Sequence, residues 1–250
     1  MDMTGRTILV TGGATGIGFG LVKAFHERGN RVIIAGRSRT SLAAATAALP
    51  GLVALELDIA DPASIAAFAE RILADHPDLD TVLHNAGMMS DESFLAGPTW
   101  LADAEATIAT NLLGPLRLTA ALLPHLLTRP KATILTVTSG LAFVPKLSTP
   151  TYCATKAALH SWTLCLRRQL RDTSVEVIEI APPYVQTTLQ GERQASDPRA
   201  MPLADFLAEV VALLGRVPTP PEIIVERCRP MRFAAENGKV EEIFEVLAEL

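Results

Sequence analysis

Short apolar runs alternate along the chain with longer stretches of helical period. Thr7 to Thr11, Arg31 to Ala35, Leu52 to Leu57, Thr81 to His84, Ala132 to Val137, Val175 to Ile180 and Glu222 to Val225 read as strands. Most are apolar at successive positions, as in Ile8-Leu9-Val10 and Val32-Ile33-Ile34, so both faces of the sheet need cover. Helical stretches fill the intervals, among them Ala104 to Leu127, Thr151 to Leu170 and a closing helix from Glu236 to Leu250. Alternation of this kind predicts right-handed crossovers, hence a doubly wound, three-layer α/β/α domain with a mostly parallel sheet of seven strands. No linker or repeat divides residues 1–250, which read as a single domain.

The first expected strand runs into Thr11-Gly12-Gly13-Ala14-Thr15-Gly16-Ile17-Gly18, and a helical stretch to Arg28 follows at once. Glycines there let a pyrophosphate reach backbone N–H groups at a helix N-terminus. The spacing differs from the usual dinucleotide fingerprint, and no Lys-Ser/Thr pair follows as a phosphate loop for ATP would require. After the second strand, where NAD-preferring folds place an acid, stand Gly36, Arg37, Ser38 and Arg39. A guanidinium beside the ribose pairs with a 2′-phosphate, so NADP(H) is the expected cofactor, with NAD(H) as the alternative. Arg37 and Arg39 also fit a plain solvated helix start. Asp58 reads either as an acceptor for adenine or as the cap of a helix starting near Pro62.

Tyr152 and Lys156 stand four residues apart in a helical stretch, which puts them on one face. An ammonium beside a phenol favours the phenolate, so the expectation is a Tyr pKa below its ordinary value of about 10 and general acid-base work on a carbonyl or alcohol. Ser139 follows the fifth strand, on the carboxyl edge where open α/β sheets bind ligands, and its hydroxyl suits a substrate oxygen.

These residues resemble the short-chain dehydrogenase/reductase family over almost the whole chain. The likeness rests on Thr11 to Gly18, Asn85-Ala86-Gly87, Asn111, Ser139, the Tyr152 and Lys156 pair, and Pro182 to Thr187. It implies a Rossmann-like fold with Tyr152 as general acid or base, Ser139 polarising the substrate oxygen, Lys156 on the nicotinamide ribose, and Asn111 holding a relay water. By the same resemblance Gly12, Gly16 and Gly18 cradle the pyrophosphate, Asp58 and Asn85 face the adenosine half, Thr187 and the Val185 backbone meet the carboxamide, and Thr15, Ile17, Gly87 and Pro182 also line the cofactor. Two positions depart from the family pattern: His84 stands where asparagine is usual, and Pro183 replaces a glycine, narrowing the turn after the sixth strand. His84 reads as a structural histidine. The stretches Ser139 to Pro145, Tyr152 to Lys156 and Val175 to Ile180 are similar to a bacterial oxidoreductase branch associated with D-alanyl-lipoteichoic acid operons.

Substrate choice is expected from Met88 to Pro98, Leu141 to Thr149 and a polar, irregular segment at 184–202 that reads as a mobile lid. Leu141, Phe143, Tyr184 and Leu189 would give a moderately apolar pocket for a small carbonyl or alcohol. Epimerisation or dehydration, and a nucleotide sensor without catalysis, are the competing readings.

Composition narrows the classes further. With 250 residues, 49% hydrophobic and 20% charged, the chain builds a large core without staples. Its three cysteines are too few and too scattered for a disulfide framework, and neither they nor the histidines cluster as metal ligands. Charges are interspersed around a net −5, which argues against nucleic acid. Apolar runs fall far short of the ~20 residues that cross a bilayer, and no basic flank with an apolar stretch opens the chain, so a cytoplasmic protein without membrane insertion is expected. The stretches around Ala104 to Leu127 and Thr151 to Leu170 are apolar on more than one face, and the family resemblance implies a homodimer or homotetramer built on them.

Overall fold

The computed structural model describes residues 1–248. Seven strands, β1 (Thr7–Thr11), β2 (Arg31–Gly36), β3 (Val53–Glu56), β4 (Thr81–His84), β5 (Ala132–Val137), β6 (Val175–Ala181) and β7 (Glu222–Ile224), form one sheet in the order β3-β2-β1-β4-β5-β6-β7. Every pairing is parallel. The order reverses between β1 and β4, which opens a crevice at the carboxyl edge.

Ten α-helices complete the described chain: α1 (Gly16–His26), α2 (Arg39–Ala48), α3 (Pro62–Asp75), α4 (Leu101–Ile108), α5 (Gly114–Leu126), α6 (Pro150–Leu170), α7 (Glu192–Ala195), α8 (Leu203–Leu214), α9 (Arg229–Arg232) and α10 (Val240–Ala248). Two apolar clusters lie on opposite faces of the sheet. One joins Ile8, Val10 and Ile178 to Leu21 and Phe25 of α1 and Phe206 of α8; the other joins Leu9, Ile33 and Ile134 to Phe68 of α3 and Leu118 of α5. Alternate strand residues feed alternate clusters, which is why the strands are apolar without interruption.

The closing helix starts at Val240, later than Glu236, because Gly238 at φ +65° turns the chain after α9; its expected end at Leu250 lies outside the described residues. By length and apolar composition alone, Pro98–Leu126 reaches a membrane-crossing helix. Within the fold it is broken by a π-helical stretch at Ala109–Leu113, and Leu118, Leu122 and Leu126 pack beneath the sheet.

Candidate active site

The turn after β1 is knitted to the segment after β4. Asn85 donates both amide protons, to Thr11 O (3.1 Å) and Gly12 O (3.0 Å), while Thr11 Oγ1 accepts from the backbone of Asn85 and Ala86. Gly12 sits at φ +64°, and a Cβ there would fall 2.9 Å from Ala86 Cα. At Gly18 a Cβ would lie 2.4 Å from the Asn85 amide nitrogen. The Asn85 side chain is thus occupied in holding the turn, which leaves it no free proton to offer adenosine. Helix α1 begins at Gly16 with no acidic residue in its first turn, and Thr15 makes no side-chain cap. A glycine-rich turn against a helix N-terminus without a side-chain cap fits a pyrophosphate. Ile17 is half-buried beside the turn.

At the end of β2, Ser38 is used as the cap of α2, accepting from Ser41 N at 3.1 Å. Arg39 pairs with Glu56 of β3, whereas Arg37 is exposed and makes no ion pair among the described residues. Of the two readings of Asp58, capping falls to its neighbour: Asp61 accepts from Ala63 N and caps α3. Asp58 instead closes a local turn by accepting from Ala60 N at 3.0 Å.

Ser139, Tyr152, Lys156 and Asn111 are all buried near the carboxyl edge. Ser139 follows β5, and its Oγ accepts from Leu141 N at 3.1 Å, leaving the hydroxyl proton to be donated. Pro150 starts α6, so Tyr152 and Lys156 occupy its first two turns. Lys156 Nζ donates to Val137 O at 2.8 Å and lies 5.6 Å from the Tyr152 ring centre. The expected lowering of the phenol is not found. Burial pushes Tyr152 up to about 12, partly offset by the Ser139 side chain, and burial brings Lys156 down to about 8. Desolvation is the leading cause at both groups, and the Lys156 ammonium is not among the causes that act on the phenol.

Asn111 lies in the π-helical stretch, a local widening of the kind that often marks functional positions. Its side chain accepts from Met88 N (2.9 Å) and donates to Met88 O (2.8 Å). A Cβ on Gly87 would lie 3.4 Å from Asn111 Oδ1 and 3.7 Å from Lys156 Nζ, so Gly87, Asn111 and Lys156 adjoin.

The 184–202 segment is tied down at several points. Met201 N donates to Tyr184 O and Gln186 N to Met201 O, a bridge that holds Val185 despite Pro183. Tyr184 Oη donates to Asp197, which is also gripped by Arg199. Buried Gln194 donates to Val185 O (2.8 Å) and Thr187 Oγ1 (3.2 Å). Nothing in local sequence pattern singled out Gln194. Pro182 O accepts from Gly140 N, joining this segment to the Ser139 turn.

Leu141 is half-buried beside Ser139, and Leu189 is exposed. Phe143 packs edge-on against His160 of α6 and beneath the Arg232 guanidinium of α9, so its ring serves that junction rather than the loop carrying Tyr184. His84 meets Thr119 Oγ1 through Nε2 at 2.8 Å, and burial alone lowers it to about 4, so it is a neutral core group. Among the described residues no cluster of His, Cys, Asp or Glu has metal-ligand geometry.

Known proteins resemble this chain in sequence and in fold. An oxidoreductase from Bacillus subtilis (strain 168), "Uncharacterized oxidoreductase DltE", is 48% identical over 189 residues, covering 76% of this chain and 75% of its own. A solved short chain dehydrogenase from Burkholderia cenocepacia in complex with NADP superimposes with TM-score 0.81 at 25% identity, covering 97% of this chain and 98% of that one. One from Burkholderia phymatum in complex with NAD gives TM-score 0.81 at 18% identity, covering 99% and 97%. The short chain dehydrogenase family profile matches residues 6–198, which include the glycine turn, Ser139, Tyr152 and Lys156. The chain belongs to the short-chain dehydrogenase/reductase family and is an oxidoreductase of that family.

Proposed function

We propose that this chain transfers a hydride between NADP(H) and a small carbonyl or secondary alcohol, with Tyr152 as general acid or base. The observation that carries the reading is the convergence of buried Ser139, Tyr152 and Lys156 beside a glycine turn that fits a pyrophosphate. When bound, the dinucleotide supplies the hydride chemistry. Ser139, whose Oγ accepts from Leu141 N, has its hydroxyl proton to donate to the substrate oxygen. Tyr152 holds its proton through the neutral range, which suits delivery to a developing alkoxide. Lys156, anchored on Val137 O, presents its remaining N–H groups to the nicotinamide ribose. Asn111, whose side chain fixes Met88, holds the water that returns a proton toward Lys156.

Gly12, Thr15, Gly16, Ile17 and Gly18 would hold the pyrophosphate through their backbone, Asp58 the adenosine side, Gly87 the stretch of cofactor beside Lys156, and Pro182, Val185 and Thr187 the carboxamide end. Asn85 acts there through the turn it braces. The choice of NADP(H) over NAD(H) rests on Arg37, which makes no ion pair among the described residues, whereas Arg39 is held by Glu56. Leu141, Tyr184 and Leu189 would border the substrate. A homo-oligomer would cover the exposed Leu101 and Ile108 near α4 and Leu164 on α6, and three free thiols fit a cytoplasmic setting.

A panel of ketones and aldehydes, offered with NADPH and NADH in turn, tests the reading. Net oxidation of NADPH with alcohol formed is the expected result. Product without net change of dinucleotide, or saturable binding without product, contradicts it.

A further inference from the structure

Glu179 is a carboxylate with no exposed surface in the middle of β6, between Ile178 and Ile180. Its strand neighbours show what the position favours: an apolar side chain, since replacing a buried ionic group by a packed hydrophobe is often neutral or stabilising. An acid retained there needs partners, and it has two. Thr138 Oγ1 donates to Oε1 at 2.6 Å, and His160 Nδ1 lies 2.9 and 2.8 Å from the two carboxylate oxygens. A carboxylate only accepts, so Nδ1 carries the proton.

The placement of those partners gives the cluster its meaning. Thr138 immediately precedes Ser139. His160 stands one helical turn beyond Lys156 and two beyond Tyr152, on the same stripe of α6. Outside contacts hold the His160 ring in turn: it packs against Phe143 at 4.8 Å, and Arg232, paired with Glu222 of β7, covers Phe143 at 4.9 Å.

We propose that Glu179 is a positioning residue: its carboxylate ties the strand end carrying Ser139 to the helix carrying Tyr152 and Lys156, and so sets the spacing of the two hydroxyls. The role rests on the oxidoreductase reading for its consequence, but the clamp itself is a property of the fold. Ser139 and Tyr152 come from different elements, and an error of about 1 Å between reacting groups is enough to cost roughly a hundredfold in rate.

Two kinds of measurement test it. Steady-state kinetics on Glu179→Leu and Thr138→Val should show kcat reduced at least about tenfold with KM for NADPH within about twofold of the parent, and Glu179→Gln should recover most of the loss, because it keeps an acceptor for Thr138. A kcat within about twofold of the parent in either folded variant overturns the clamp; Thr138→Val decides alone should Glu179→Leu not fold. The second readout needs no turnover. The chain has two tyrosines, Tyr152 and Tyr184, so carbon-13 labelling of the tyrosine ring gives two assignable signals. Thr138→Val should displace the Tyr152 signal and leave that of Tyr184, which is bound to Asp197, in place; an unmoved Tyr152 signal overturns the proposal. If the parent reduces no carbonyl with either dinucleotide, the oxidoreductase reading fails while the Tyr152 signal still decides the clamp.

Discussion

Lys156 gives its hydrogen bond to the carbonyl of Val137, 2.8 Å away, and stands 5.6 Å from the centre of the Tyr152 ring. The ammonium therefore backs the aromatic face of Tyr152 and is fixed to the strand that leads to Ser139. Burial decides both titrations, upward for the phenol and downward for the ammonium.

This arrangement gives stability a definite pH dependence. Below about 8 Lys156 is charged in both states and the cost of burying it is fully present. As pH rises from about 8 toward 10.5 the unfolded chain keeps the proton that the folded chain has released, so this group makes stability increase across that window. Denaturant midpoints measured across it should rise for the parent relative to Lys156→Met; parallel curves contradict the assignment.

His84 acts with the same sign at lower pH. It is neutral in the fold down to about 4, whereas the unfolded chain takes up a proton near 6.5. Stability should fall as pH drops through that interval, by on the order of 3 kcal/mol at the acid end. His84→Asn, which keeps a polar group for Thr119, should flatten the slope in urea titrations. An unchanged slope assigns acid lability to another group.

Arg37 and Arg39 are separated by their partners, since Arg39 is held by Glu56 and Arg37 is not. Arg37→Ala should weaken NADPH at least about tenfold in fluorescence titration while leaving NADH within about twofold. Equal weakening of both removes the proposed contact with a 2′-phosphate.

Gly18→Ala tests the cradle. The added methyl meets the Asn85 amide and Gly12 O, both at 2.4 Å, so the knot between the two segments must open. A loss of about 1 to 3 kcal/mol in stability is expected, accompanied by weakened dinucleotide binding. Full stability with unchanged binding shows that the turn has room the contacts deny.

Much of this was legible in the sequence because two-sided burial leaves an unmistakable mark. Residues such as Ile8-Leu9-Val10 alternate between two cores, and the strands appear within a residue or so of their expected bounds. The Tyr152 and Lys156 pair was readable for a similar reason, as helical spacing alone puts both on one face. What stayed hidden depends on contacts distant in sequence. Gln194 looks like any surface glutamine until it reaches Val185 O. Phe143 looks like pocket lining until Arg232 arrives from beyond the last strand. The direction of the Tyr152 shift required knowing how deeply α6 is buried, and helical spacing carries no depth. Glu179 did leave a signal, an acid within an apolar strand, although its partners could not be read from it.

The central claim is that the Tyr152 hydroxyl is the proton donor or acceptor of the reaction. Tyr152→Phe, assayed for carbonyl reduction with NADPH and titrated with NADPH in parallel, tests it most directly. The account predicts turnover lower by at least about a thousandfold with a dissociation constant for NADPH within about threefold of the parent. Turnover within about tenfold of the parent contradicts it.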